Sequence, residues 1–128
     1  MNKRELKDLL YEQVARIGKA LSSPKRLELL EVLAQGEKTV DALAAEVDID
    51  IKLASAHLKV LKDAHLVEAR RDGRFIAYRL TGDDVSDMWV NLRTVAEEHL
   101  VELKVAMDRL FAAPEKLDGE TRRSLLEK

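Results

Sequence analysis

Between Lys52 and Arg74 the sequence gathers the side chains whose types suggest chemistry, and that chemistry is recognition of an anionic surface. Lys52, Lys59 and Lys62 fall on the outward side of an expected helix, with Ser55 and Ala56 among them. Ser55 and Ala56 are small enough to let a helix approach base edges, and Ser55 can donate or accept a hydrogen bond. The lysines suit phosphates, which position a protein on a duplex without reading its sequence. Arg70, Arg71 and Arg74 surround Asp72-Gly73, a tip suited to backbone or minor-groove contact. Bond-making chemistry has no comparable constellation. No nucleophile or carboxylate is spaced to make His57 a general base, and no glycine-rich phosphate loop occurs. The chain has no Cys, which removes disulfides, thiolate metal sites and thiol redox switching. The expectation is a protein that is no enzyme and carries no cofactor.

Charge sharpens this picture. The 128 residues sum to a net charge of −2. Residues 1–51 carry 8 basic and 10 acidic side chains, residues 52–80 carry 7 and 3, and residues 81–128 carry 7 and 11. Only the middle window is positive. A basic patch on an acidic protein can be an electrostatic footprint for phosphates, although charge alone leaves a merely solvated surface equally open. No apolar run is long enough to span a membrane. The charged opening MNKRELKDLL has no signal-peptide core, and the expected compartment is the cytoplasm.

The elements that would position these side chains follow from spacing. Leu, Ala and Val dominate the apolar content, which suits packed helices. Leu6, Leu10, Val14, Ile17 and Leu21 recur at helical spacing and predict a first helix over 3–20. Ser23 as N-cap and Pro24 at the first position start a second helix. It turns Leu27, Leu30 and Leu33 inward and stops near Gly36 in the left-handed conformation. Thr39 caps a third, short helix that buries Val40, Leu43, Ala44 and Val47. Asp48 tolerates the left-handed turn that follows, Ile49 plugs the angle, and Asp50 caps a fourth helix over 51–64. That helix buries Ala54, Leu58 and Leu61. His65 follows at a position where Gly would be easier. Two alternating segments, 66–71 and 74–80, flank Asp72-Gly73 as a β-hairpin. Such a hairpin is marginal alone and must lean on the helices through Leu66, Val67, Ile76 and Tyr78.

Asp83 or Asp84 then caps a long helix reaching about residue 111. Its stripe includes Val85, Met88, Trp89, Leu92, Val95, His99, Leu103 and Met107, roughly 40 Å of helix at 1.5 Å per residue. One small domain cannot cover so long a stripe together with that of the first helix. A dimer would bury both across a two-fold axis, with Leu6, Leu10, Val14, Trp89, Leu92, Val95, His99 and Leu103 at the interface. An intramolecular helical hairpin is the alternative. The fold class is thus mainly α with a small β-hairpin: a winged helix-turn-helix over residues 1–112, with 113–128 as a linker or tail.

The run from Ser22 to Leu80 resembles the ArsR/SmtB family of bacterial winged-helix repressors. The resemblance is carried by Ser55-Ala56-His57-Leu58-Lys59-Val60-Leu61, by Leu66-Val67-Glu68-Ala69-Arg70-Arg71-Asp72-Gly73-Arg74, and by Tyr78-Arg79-Leu80. It implies a homodimer built from the first and last helices, binding to a double-stranded DNA operator, and release by an inducer that the sequence does not name. It also places Ser55, His57 and Lys59 where the family's recognition helix meets DNA. A winged-helix module that binds a protein partner is the competing reading.

Metal sensing is not expected. Relatives that bind metal use Cys in the helix before the recognition helix, and here Val40-Asp41-Ala42-Leu43-Ala44-Ala45-Glu46-Val47 offers none. Others use an Asp-x-His pair with a later His and carboxylate. His99 and Glu102 match the second half, but Ser86 and Met88 stand in the places of the first, two ligands short of a closed zinc site. The tail from Leu117 to Lys128 is similar to the helix that opens a rhodanese domain in a cysteine-free branch of the family. The chain would then be the DNA-binding half of a sulfur or redox regulator.

Overall fold

A computed structural model describes residues 1–110; the tail at 113–128, with its linker and rhodanese readings, lies outside the described residues. The order is α1 (Lys3–Ala20), α2 (Pro24–Ala34), β1 (Lys38–Thr39), α3 (Val40–Glu46), α4 (Ile51–Asp63), β2 (Val67–Asp72), β3 (Phe75–Leu80) and α5 (Asp83–Leu110). Residues 1–89 form one compact unit, and from Val90 onward the chain belongs to a second.

The helix starts are set by side chains that satisfy orphan backbone N–H groups. Asn2 and Glu5 form a reciprocal capping box on α1. Ser23 accepts from the N–H of Arg26 at 3.3 Å, with Pro24 behind it. Thr39 accepts from Ala42 at 3.2 Å and Asp50 from Leu53 at 2.7 Å. α2 packs against α3, α4 and β3. It buries Leu29, Leu30, Val32 and Leu33, while Leu27 is only half-buried. The inward face is therefore wider than the Leu27-Leu30-Leu33 stripe, because partners approach α2 from more than one side. Leu29, Leu30, Leu43, Leu58, Leu61, Val47 and Val67 are the large side chains fully removed from water, each contributing about 1.5–3 kcal/mol of burial.

Two non-glycine residues hold left-handed backbone, as expected at the turns: Asp48 at φ 57° and His65 at φ 62°. Gly36, just past the Gln35 C-cap of α2, has φ 150°, a positive angle that favours glycine but lies far from the φ near +57° of the expected left-handed turn. The hairpin differs from expectation by one residue. Asp72 pairs with Phe75, so the loop is Gly73-Arg74, and Asp72 belongs to the strand. Only Gly73 has positive φ, 63°, the pattern of a loop that needs glycine at its first position alone. A third strand, β1, pairs with β3 through Lys38–Tyr78 and Thr39–Ala77, giving the order β1-β3-β2. At two residues it is too short to show a period. Leu66 and Val67 are buried and Tyr78 packs on the core, as expected, but Ile76 is 45% exposed. It shares a face with Tyr78 yet lies about 7 Å further toward the tip, beyond the helices.

Of α1, only Ala20 is buried; Ile17 and Leu21 pack partly against the core, and Leu6, Leu10 and Val14 are more than half exposed. In α5, Val85 is buried and Met88 packs beside it. Two stability changes of opposite sign follow. Leu61→Ala should cost about 2–5 kcal/mol by opening a core cavity. His65→Gly should gain about 0.5–1 kcal/mol, since left-handed backbone strains any side chain and only the freer unfolded glycine opposes the gain. Urea unfolding followed by circular dichroism checks both.

Candidate nucleic-acid interface

The turn between α3 and α4 is fixed from behind. Lys25 donates to the carbonyl of Val47 at 2.6 Å and pairs with Glu28 at 3.3 Å. The N–H of Ile49 reaches the carbonyl of Ala44 at 3.0 Å, and the Ile49 side chain packs on the core. With Ala54, Leu58 and Leu61 turned inward, the opposite face of α4 is presented to solvent.

That exposed face has two flanks. Lys52, Ser55, Lys59 and Lys62 share one, at helical spacing, and all are exposed. Leu53 and Val60, 43% and 39% exposed, share the other. Ala56 lies between them. His57 is about 200° around the helix from Ser55, so these two expected contacts do not face the same groove. Lys59 pairs with Asp63 at 3.2 Å, both well exposed; such a pair is weak and readily exchanged for a phosphate.

His57 is half-buried and packs instead toward α2. Its Nδ1 lies 3.3 Å from the Arg26 guanidinium. Arginine can only donate, so Nδ1 accepts and the ring proton sits on Nε2. Burial holds the imidazole pKa below its ordinary value, and the Arg26 charge adds to the effect. Arg26 also donates to the carbonyls of Ala20 at 2.6 Å and Lys19 at 3.3 Å. One side chain thus ties the end of α1 to the recognition helix.

In the wing, Arg71 and Arg74 are exposed, and the Arg74 guanidinium lies 5.7 Å from the centre of the Phe75 ring. Arg70, expected beside them, is placed differently. It donates twice to Glu37, at 2.7 and 2.5 Å. Arg79 likewise donates to Glu68 at 2.6 Å. The Arg70 hydrogen bond holds the Glu37 carboxyl below its usual range. Arg70 faces Ala77 across the strands, and Ala77 is 3% exposed yet outside the main core cluster. Arg70 therefore lies on the outer face of the sheet, beside Ala77. Sequence reasoning missed Glu37 and Arg26, whose partners are 33 and 31 residues away and leave no local signal.

Residues 23–69 match the family of bacterial regulatory proteins described as arsR. An HTH-type transcriptional regulator of Mycobacterium tuberculosis is 44% identical over 94% of this chain, and the chain spans 52% of that protein's length. A biofilm growth-associated repressor of Agrobacterium fabrum is 37% identical, covering 80% of this chain and 75% of the repressor. This chain belongs to the arsR family.

Solved structures agree in fold. The homodimeric winged helix-turn-helix DNA-binding domain from Mycobacterium bovis superposes with a TM-score of 0.72 at 45% identity, covering 78% of this chain and 91% of that one. The transcriptional repressor BigR from Xylella fastidiosa gives 0.61 at 34%, covering 74% and 96%. The relatives it matches are named as transcriptional regulators and repressors.

The Arg26–His57 contact carries a pH signature. A depressed folded-state pKa means the unfolded chain binds the proton more readily. Stability from this site is complete above about 6.5, the ordinary imidazole value, and falls as pH drops below it. The urea midpoint of the unaltered protein should decrease between about pH 7 and 5.5. His57→Asn, which keeps an acceptor near Nδ1 but does not titrate, should flatten that slope. Equal slopes would remove His57 as the cause.

Proposed function

We propose that this chain is a repressor that binds an inverted-repeat operator in duplex DNA as a homodimer. The observation that carries the reading is the flank of α4 bearing Lys52, Ser55, Lys59 and Lys62, turned outward by the burial of Ala54, Leu58 and Leu61. Ser55 and the Ala56 methyl meet base edges, the lysines meet phosphates, and Arg71 and Arg74 of the wing reach the backbone or minor groove. His57 acts from behind, positioning α4 through Arg26, and Arg70 shapes the wing through Glu37.

Dimerisation rests on apolar surface that the single chain leaves open. Leu6, Leu10 and Val14 of α1 are 56%, 58% and 55% exposed. On α5, Leu92, Val95 and Leu103 are 44%, 66% and 48% exposed; His99 is exposed and Trp89 half-buried. A two-fold axis would bury these faces and set two recognition helices one duplex turn apart, about 34 Å. The homodimeric M. bovis domain supports this reading. We propose no metal sensing, because the chain lacks Cys and Ser86 and Met88 offer no strong ligand beside His99 and Glu102.

Selection of bound fragments from sheared genomic DNA should return an inverted repeat. On that duplex, Lys59→Ala and Arg74→Ala should each weaken binding and lower the slope of log affinity against log salt by about two, one for each protomer. Unchanged affinity and slope in both variants would sink the interface. Leu10→Asp combined with Val14→Asp should yield monomer by light scattering and lose the preference for two half-sites over one.

A further inference from the structure

Building on the operator-binding reading, we propose that a groove between α1, the end of α4 and β2 binds a small polyvalent anion. Its occupancy would weaken duplex binding by withdrawing Lys62. The groove is open to solvent and has a volume of about 790 Å³, within the size range of small-ligand sites. It is lined by Arg16 of α1, by Lys62, Asp63 and His65 at the end of α4, by Glu68 of β2 and by Thr81.

Without DNA, each of the groove's carboxylates has a cationic partner outside the groove. Asp63 pairs with Lys59 and Glu68 with Arg79. The Thr81 hydroxyl donates to the carbonyls of His65 at 2.9 Å and Leu66 at 3.3 Å. The side chains of Arg16, Lys62 and His65 have no hydrogen bond or ion pair among the described residues. Two full cations and an imidazole donor, from two elements, are therefore uncommitted on one concave surface. His65 adds a second argument. Its left-handed backbone would suit glycine, yet the position carries an exposed ring that the core does not use. Strain retained for such a side chain points to use of the ring.

The matching ligand is an anion of two or more charges, such as a phosphorylated or polycarboxylate metabolite. Arg16 and His65 would hold it from the wall of the groove. Lys62 stands both on the groove and on the flank of α4 assigned to the duplex, so anion and phosphate backbone compete for one ammonium. Linkage makes the effect reciprocal: the anion weakens duplex binding by the factor that the duplex weakens anion binding.

The test uses the 128-residue chain with pyrophosphate and citrate as probes, chloride holding ionic strength constant. At about 10 mM probe, the duplex dissociation constant should rise about fivefold or more. Arg16→Ala and His65→Gly should keep the anion-free affinity and lose this response. Without duplex, either probe should shift the His65 ring resonances in a saturable titration. An equal response in wild type and Arg16→Ala, or a His65 ring that neither probe shifts, overturns the proposal. So does a loss of anion-free affinity and salt slope in Arg16→Ala, which would give the groove to the DNA backbone. If no duplex binds at all, the operator reading fails, and the His65 titration still decides the groove.

Discussion

The packing of α4 against α2 decides which side chains of α4 reach the surface. Ala54, Leu58 and Leu61 are fully buried, as are Leu29 and Leu30 of α2. Three inward positions on a 13-residue helix fix its rotation: turning it one residue one way would bring Lys59 and Lys62 toward the core, and turning it the other way would swing the fully buried Leu58 to water in exchange for Leu53 and Val60. The cost of burying an unpaired ammonium far exceeds the few kcal/mol at stake in the fold. Which side chains face outward is thus settled by apolar packing, with no contribution from the polar residues themselves.

Around that fixed helix, charged side chains are divided between positioning and display. Arg26 spends its donors on α1 carbonyls and on His57. Arg70 and Arg79 spend theirs on Glu37 and Glu68, across the sheet. Lys52, Lys62, Arg71 and Arg74 form no ion pair among the described residues, and Lys59 forms an exposed one. A basic window therefore does not translate residue by residue into contacts. The acidic residues near it select which cations stay available.

Much of this was legible in the sequence because its signals are local. Ser23, Thr39 and Asp50 act on N–H groups three residues away, and Asp48 and His65 mark the two turns. The apolar period of α4 separated its buried from its exposed face. What escaped depends on contacts between distant segments. β1 exists only as a partner of β3. Gly73-Arg74 forms the loop because pairing extends through Asp72 and Phe75, which no composition rule distinguishes from Asp72-Gly73. Arg70 looked like Arg71 and Arg74 until the sheet brought Glu37 beside it. His57 sits within the motif that carries the family resemblance, and only its position around the helix shows it turned toward Arg26.

In the proposed complex the Lys52-Ser55-Lys59-Lys62 flank of α4 faces the duplex and the Leu53-Val60 flank does not. The absence of Cys permits a direct measurement. A single cysteine, introduced as Ser55→Cys or as Leu53→Cys, carries a tethered iron chelate that cleaves DNA within its reach. Cleavage should be strong within both operator half-sites from position 55 and weak from position 53. Equal cleavage, or stronger cleavage from position 53, would contradict that orientation.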